Sequence, residues 1–303
     1  MRAAVTGAAG FAGIHLSGRL LESGYGLLAF LRKGSEHNSR IKELAERFPE
    51  GRVCIIEYDM DTEALPELIN DKTPRCGLFF DMAWAGGRND MAAQLKNTER
   101  LPGNVEAAVR LGCRRYIGTG SQAEYGVVSG VITEDTPPLP FSAYGAAKLA
   151  GCHISRVAAE SAGIEWIWGR IFSLTGSFEP SGRMLPDLVG KLKRGEAADL
   201  SSCRQYWDYM DAADCADAFI ALGEKGRAGS IYNVANGDYR VLKDYIEELR
   251  ELIPSESEIR YGSDPEPFVS LRPDVSRIKQ DTGFRCRYSF SDSIRKICLT
   301  ANL

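Results

Sequence analysis

The sequence of 303 residues predicts an α/β fold: a doubly wound parallel sheet followed by a smaller C-terminal lobe. Two observations carry that expectation. Short apolar runs alternate with longer helix-period segments through the first half, and such alternation builds a parallel sheet covered by helices on both faces. The first run also opens straight into a turn with glycines at 7, 10 and 13, and a helical pattern follows. Past residue 172 the order loosens, which divides the chain into residues 1–172 and a second lobe at 173–303. The segment around 203–235 is expected to return to the first part.

Taken in order, the expected strands are 3–6, 26–31, 53–58, 77–82, 115–119 and 164–170. The clearest helices among them are 14–22, 91–111 and 144–162. In the first unit Gly7 permits the tight turn, Gly10 lets backbone amides approach a pyrophosphate, and Gly13 lets the helix pack closely on the strand. The helix N-terminus then offers unpaired N–H groups and a partial positive charge. Strand, glycine turn and helix are the context a dinucleotide-binding turn requires, although the spacing is GxxGxxG and not the commoner GxGxxG. Pro137-Pro138-Leu139-Pro140 forms a loop that delivers the chain into the third helix. Residues 176–186 are rich in Gly, Ser and Pro and read as a loop over a site, while 239–252 and 289–299 read as helices of the second lobe.

Composition narrows the classes. A hydrophobic fraction of 44% supplies a sizeable core, and a net charge of −4 argues against a nucleic-acid partner. No apolar stretch reaches the length of a membrane span, and the first strand begins where a signal peptide would lie, so the expected location is cytoplasmic. Eight cysteines are scattered without a CxxC pair, as reduced buried thiols would be. With three histidines and none near a cysteine pair, no metal site is expected.

Chemistry enters at Tyr144-Gly145-Ala146-Ala147-Lys148, where a phenol and an ammonium lie one helical turn apart on one face. A neighbouring ammonium favours the phenolate and moves its pKa down from about 10. Such a tyrosine can exchange a proton with an alcohol oxygen.

These pieces together resemble the extended short-chain dehydrogenase/reductase family, the Rossmann-type nucleotide-sugar epimerases, dehydratases and reductases. The motifs follow the family's order: GxxGxxG at 7–13, Asp59-Met60 at a strand end, Ser121, YxxxK at 144–148, and a turn at 170–176 similar to RxFNxYG. Trp207-Asp208-Tyr209-Met210 with Asp214 and Ala216 resembles a later family motif, as does Asp274-Val275-Ser276-Arg277 near the C-terminus. The resemblance implies that Tyr144 is the general acid/base, that Lys148 lowers its pKa and binds the nicotinamide ribose, and that Ser121 hydrogen-bonds the reacting oxygen. It implies cofactor contacts from Gly7, Gly10, Phe11, Gly13, Asp59, Met60, Ala83 and Phe172. On the substrate side it points to Trp84, Arg88, Gln122, Ser173, Trp207 and Arg272, with Arg183 as a further candidate.

Cofactor choice turns on the end of the second strand. NAD-preferring enzymes place a carboxylate there for the ribose hydroxyls; this chain has Leu31, followed by Arg32 and Lys33, with Ser35 nearby. A guanidinium binds a 2′-phosphate in a fork, so NADP(H) is favoured, with NAD as the alternative. Dehydration is disfavoured, because the family's 4,6-dehydratases carry Asp-Glu after the catalytic threonine where this chain has Gln122-Ala123. Glu124 is displaced by one residue, which on an extended strand sends it to the other face. The expected reaction is therefore NADPH-dependent reduction of a nucleotide-linked 4-keto-6-deoxy sugar, CDP- or dTDP-linked, nearest to the 4-ketoreductases that make CDP-abequose and CDP-paratose. A 4-epimerase using NAD is the alternative within the fold, and a non-catalytic dinucleotide-binding regulator the alternative outside enzymes. The resemblance also implies a homodimer, formed through helices 91–111 and 144–162.

Overall fold

The computed structural model describes residues 1–300. The first half runs β1 (Arg2–Thr6), α1 (Phe11–Glu22), β2 (Gly26–Arg32), α2 (Asn38–Glu46), β3 (Val53–Tyr58), α3 (Leu65–Leu68), β4 (Leu78–Asp81), α4 (Met91–Arg110) and β5 (Arg115–Ser121). A 3₁₀ turn at Gln122–Glu124 follows, then α5 (Ala143–Ala162), β6 (Glu165–Ile171) and β7 (Ser173–Thr175). The second half runs α6 (Met184–Arg194), β8 (Ala198–Leu200), β9 (Tyr206–Trp207), β10 (Tyr209–Asp211), α7 (Ala212–Lys225), β11 (Ser230–Val234) and β12 (Arg240–Val241). It ends with α8 (Leu242–Leu252), β13 (Ile259–Tyr261), α9 (Ser276–Thr282) and α10 (Phe290–Thr300).

Seven strands form one sheet in the order β11-β6-β5-β4-β1-β2-β3, and every neighbouring pair is parallel. Consecutive residues of β1 and β2, such as Ala3-Ala4-Val5 and Leu27-Leu28-Ala29-Phe30, are wholly buried because helices cover both faces. On one face α1 and α7 pack through Leu16, Leu20 and Phe219; on the other, α4 and α5 enclose Val105, Ala108, Tyr116, Trp166 and Trp168. The strand order reverses between β1 and β4, and an open α/β sheet holds its ligand in the crevice at such a reversal.

A separate core lies in the C-terminal part, built from Leu188 and Leu192 of α6, Ile246 and Leu249 of α8, and Ile294 and Ile297 of α10. The chain enters this part through β7, which pairs in parallel with β10, and returns through α7 and β11 to the main sheet. Helix α6 shortens the expected loop at 176–186. Its apolar spacing of 185, 188, 189 and 192 is helical, and Pro186 falls in the first turn, where a missing N–H costs nothing. Helix α5 begins at Ala143 because the Ser142 hydroxyl accepts the Gly145 N–H at 3.1 Å as its N-cap.

Candidate active site

The glycine turn fits a dinucleotide pyrophosphate. Gly7 has φ of 60°, and a Cβ there would stand 2.9 Å from the Ala83 Cα; one on Gly13 would stand 2.0 Å from the Gly7 carbonyl oxygen. Gly10 caps α1 without any side-chain cap, which leaves the first-turn N–H groups directed at an incoming anion. Across the crevice the Asp81 carboxylate is buried and accepts hydrogen bonds from Thr6 (2.6 Å), Asn104 (2.9 Å) and Tyr116 (2.5 Å). Thr6 Oγ1 in turn accepts the N–H groups of Met82 and Ala83 at 3.0 Å, fixing the backbone that faces Gly7. Sequence reasoning passed over Asp81, although a carboxylate inside the apolar run Leu78-Phe79-Phe80 was a signal.

Beyond the end of β3, Met60 lines a surface cavity of about 370 Å³ with Tyr58, Arg100 and Asn104. The neighbouring Asp59 caps its own turn, accepting the Asp61 N–H at 2.9 Å. Leu31 packs into the core, whereas Arg32 and Lys33 are exposed at the carboxyl end of β2. A further cation, Arg40 of α2, donates to the Ala9 carbonyl of the glycine turn at 3.5 Å, a contact that no local pattern announces.

Two adjoining cavities meet at the predicted catalytic residues. The inner one, about 250 Å³, is lined by Phe11, Ala12, Met82, Trp84, Thr119, Gly120, Lys148 and Ile171. The outer one, about 650 Å³, is lined by Arg88, Gln122, Ser173, Glu179, Trp207, Tyr209 and Val269. Ser121, Tyr144, Phe172, Leu174 and Arg183 line both. Trp84, expected on the substrate side, therefore belongs to the inner cavity. Its indole N–H donates to Gln94 at 2.7 Å, and its ring lies 3.6 Å beneath the Lys148 ammonium and edge-on to Tyr144. Arg272 lines neither of these cavities; its guanidinium stacks on the Tyr206 ring at 5.0 Å.

The electrostatics differ from the sequence expectation in one respect. Lys148 was expected to lower the Tyr144 phenol, yet burial raises that phenol above 10.0, and the Ser121 hydroxyl, bonding to it, opposes the rise. Lys148 is itself 3% exposed and donates to the Thr119 carbonyl at 2.7 Å; burial pushes it down to about 7. Glu124 also departs from expectation. It sits in the 3₁₀ turn and not on an extended strand, fully buried and paired with Arg170 at 2.7 Å. Glu179 escapes sequence reading: among the described residues its Oε2 has no hydrogen-bond partner, and burial raises the carboxyl to about 7 at the edge of the outer cavity.

Comparison with known proteins agrees with this geometry. Residues 3–235 match the NAD dependent epimerase/dehydratase family. A putative UDP-arabinose 4-epimerase of Arabidopsis thaliana is 25% identical, covering 96% of this chain and 74% of its own length. The dTDP-6-deoxy-L-talose 4-dehydrogenase (NAD(P)(+)) of Kitasatospora kifunensis is 26% identical, covering 98% and 94%. Among solved structures, the UDP-glucuronic acid 4-epimerase of Bacillus cereus in complex with UDP-glucuronic acid and NAD superposes with a TM-score of 0.85 at 22% identity, covering 98% of this chain and 97% of that one. The fold, the glycine turn and the matched family thus converge: this chain is an enzyme that belongs to the NAD dependent epimerase/dehydratase family.

Proposed function

We propose that the enzyme acts at C4 of a nucleotide-linked sugar, oxidising and re-reducing that carbon as a 4-epimerase with NAD. One observation carries the reading: Ser121 and Tyr144 line both the inner cavity, next to the glycine turn, and the larger outer one. A phenol shared in this way can serve a sugar oxygen on one side and a nicotinamide on the other. The similarity to 4-epimerases over nearly the whole chain moves this reading ahead of the ketoreductase that the motifs favour.

When bound, the nicotinamide supplies hydride acceptance and return. Tyr144 takes the proton from the C4 hydroxyl as the sugar is oxidised and gives it back to the carbonyl oxygen on reduction. Ser121 holds that oxygen in line with the phenol. Lys148, one helical turn from Tyr144, in its protonated form favours the phenolate against the burial that opposes it. Asp59 and Met60 take the adenine end, while Arg88, Gln122, Ser173, Trp207 and Arg183 surround the sugar diphosphate. An outer cavity of about 650 Å³ gives a keto sugar room to present its other face before reduction.

A second reading, one-way reduction of a 4-keto-6-deoxy sugar by NADPH, is favoured by the exposed Arg32 and Lys33 at the β2 end and by the likeness to a 4-dehydrogenase described as using NAD(P)(+). A cytoplasmic enzyme is part of either reading, which the eight free thiols suit. So is a homodimer through α4 and α5, whose solvent faces expose Met91, Leu95, Ile154 and Val157.

The test is to incubate the protein with UDP-glucose, UDP-glucuronate and UDP-arabinose without reductant and follow the sugars by NMR. The expected product is the C4 epimer with no net change in cofactor. Consumption of NADPH by 4-keto-6-deoxy sugars without epimerisation would select the second reading, and inertness in both assays would overturn C4 chemistry.

A further inference from the structure

Glu124 is a carboxylate with no exposed surface, three residues along from Ser121, and it bonds both to the Ser121 main chain and to the buried Trp168 and Arg170 behind it. One oxygen, Oε1, accepts the Ser121 N–H at 2.8 Å and the Trp168 indole N–H at 3.0 Å. The other accepts from Arg170 Nε at 2.7 Å. Ser121 closes the arrangement from its side, because its hydroxyl oxygen accepts the Ala123 N–H at 3.2 Å and completes a capping box over the 3₁₀ turn. Arg170 is 3% exposed and lies 4.5 Å from the centre of the Tyr125 ring, whose hydroxyl donates to Asn233 at 2.6 Å. Even Gly120 conforms to the pair, since a Cβ there would stand 2.4 Å from Glu124 Oε1.

We propose that Glu124 and Arg170 are a positioning pair for the proton-transfer centre: the carboxylate holds the Ser121 main chain and supplies a fixed negative charge behind Tyr144 and Lys148, and the guanidinium holds the carboxylate. The proposal rests on the C4 chemistry assigned above to those residues. A buried ion pair is a weak means of gaining stability, because desolvation offsets the attraction. Its placement beneath the catalytic serine has a function where the energy has none.

The fixed charge acts on two groups in one direction. Among the charges facing Lys148, Glu124 and Asp81 both favour the ammonium against burial. Around Tyr144 stand Ser121, Glu124, Arg88 and Arg183, with Glu179 on the same cavity wall and Lys148 one turn along; here Glu124 opposes the phenolate. Glu124 itself faces Arg170, Tyr125 and the Cys152 thiol. Removing the anion therefore lowers the pKa of the phenol and of the ammonium together; the Arg170 cation left behind pulls the same way, so the variant that removes both charges isolates the pair's own field, and a pair whose field does not reach Tyr144 leaves the phenol of that variant where it was.

Ultraviolet difference titration reads this directly. The spectrum of the full-length protein minus that of Tyr144→Phe isolates one phenolate, and the same difference is taken in a Glu124→Gln background. The Tyr144 midpoint is expected to fall in Glu124→Gln. Should that variant lose its cooperative melt, Glu124→Gln with Arg170→Met strands no charge, and its midpoint is expected to fall in the same direction. A midpoint within about 0.2 unit of wild type in the folded variant would overturn the pair's role. The titration uses no substrate, so an unmoved midpoint counts against the pair alone, and failure to turn over any UDP-sugar counts against the C4 reading alone.

Discussion

The C4 chemistry proposed for this site asks Lys148 to be both buried and charged, and the two demands oppose each other. Burial pushes its folded pKa down to about 7 from the 10.5 of an unhindered lysine. Between those values the unfolded chain binds a proton that the folded chain does not, so stability rises with pH across the window. Below about 7 the folded state carries the full cost of the buried ammonium. Lys148→Met removes that cost. Its Tm is expected to exceed wild type most at pH 6 and to converge on it by about pH 10; an equal gain at both pH values would mean packing, not charge, is responsible. Tyr144→Phe deletes only the hydroxyl and is expected to lower turnover by about 10²–10⁴-fold while NAD affinity is kept, as measured by cofactor titration. Both residues were legible in the sequence because their spacing on a helix is a local property. The balance between them was not. Whether burial or a neighbouring charge dominates depends on Trp84, Thr119 and Ser121, which only the fold brings alongside.

At the scale of elements, the sheet was legible wherever a strand is buried on both faces, because such strands read as continuous apolar runs. β7 and β10 have three residues each, and each exists through a partner more than thirty positions away in the chain, so no local pattern announces them. The 3₁₀ turn after β5 was hidden for a related reason. Its stabilising bonds come from the Glu124 side chain to Ser121 and Trp168, a tertiary arrangement written over a sequence that also suits a strand. Gly120 is the residue on which this element turns. A methyl group there would stand 2.1 Å from Trp168 Nε1 and 2.4 Å from Glu124 Oε1, both buried. Gly120→Ala is therefore expected to destabilise the protein by about 1–3 kcal/mol or more by overpacking, read from denaturant midpoints. The same change displaces Ser121, so turnover is expected to fall even at temperatures where the variant remains folded. Full activity in a folded Gly120→Ala would show that the serine's position tolerates such movement.

Among the described residues, α4 and α5 carry an apolar surface that the cores leave uncovered. α4 and α5 pack side by side over the sheet, yet Met91 (59% exposed) and Leu95 (54%) on the first and Val157 (62%) on the second turn apolar side chains to solvent. Along α5, Ala146, His153, Ile154 and Val157 are all exposed and recur at helical spacing, which makes a stripe suited to a second helix pair. A two-fold copy of the same surface is the simplest complement, since an isologous contact sets identical stripes against each other. Nothing in the net charge of −4 would keep two such copies apart at ordinary salt. These are the helices through which the family resemblance implies a dimer, and their exposed side chains are the ones such a contact would use. Val157→Glu places a carboxylate where the two-fold would bring it against its own copy. Sedimentation velocity is expected to find wild type as a dimer and Val157→Glu as a monomer at micromolar concentration. Because Tyr144 and Lys148 lie at the start of the same helix, the monomer is also expected to melt at a lower temperature and lose part of its turnover. A wild-type protein that sediments as a monomer would leave the stripe without this partner, and with it the expectation that α5 is held from both sides.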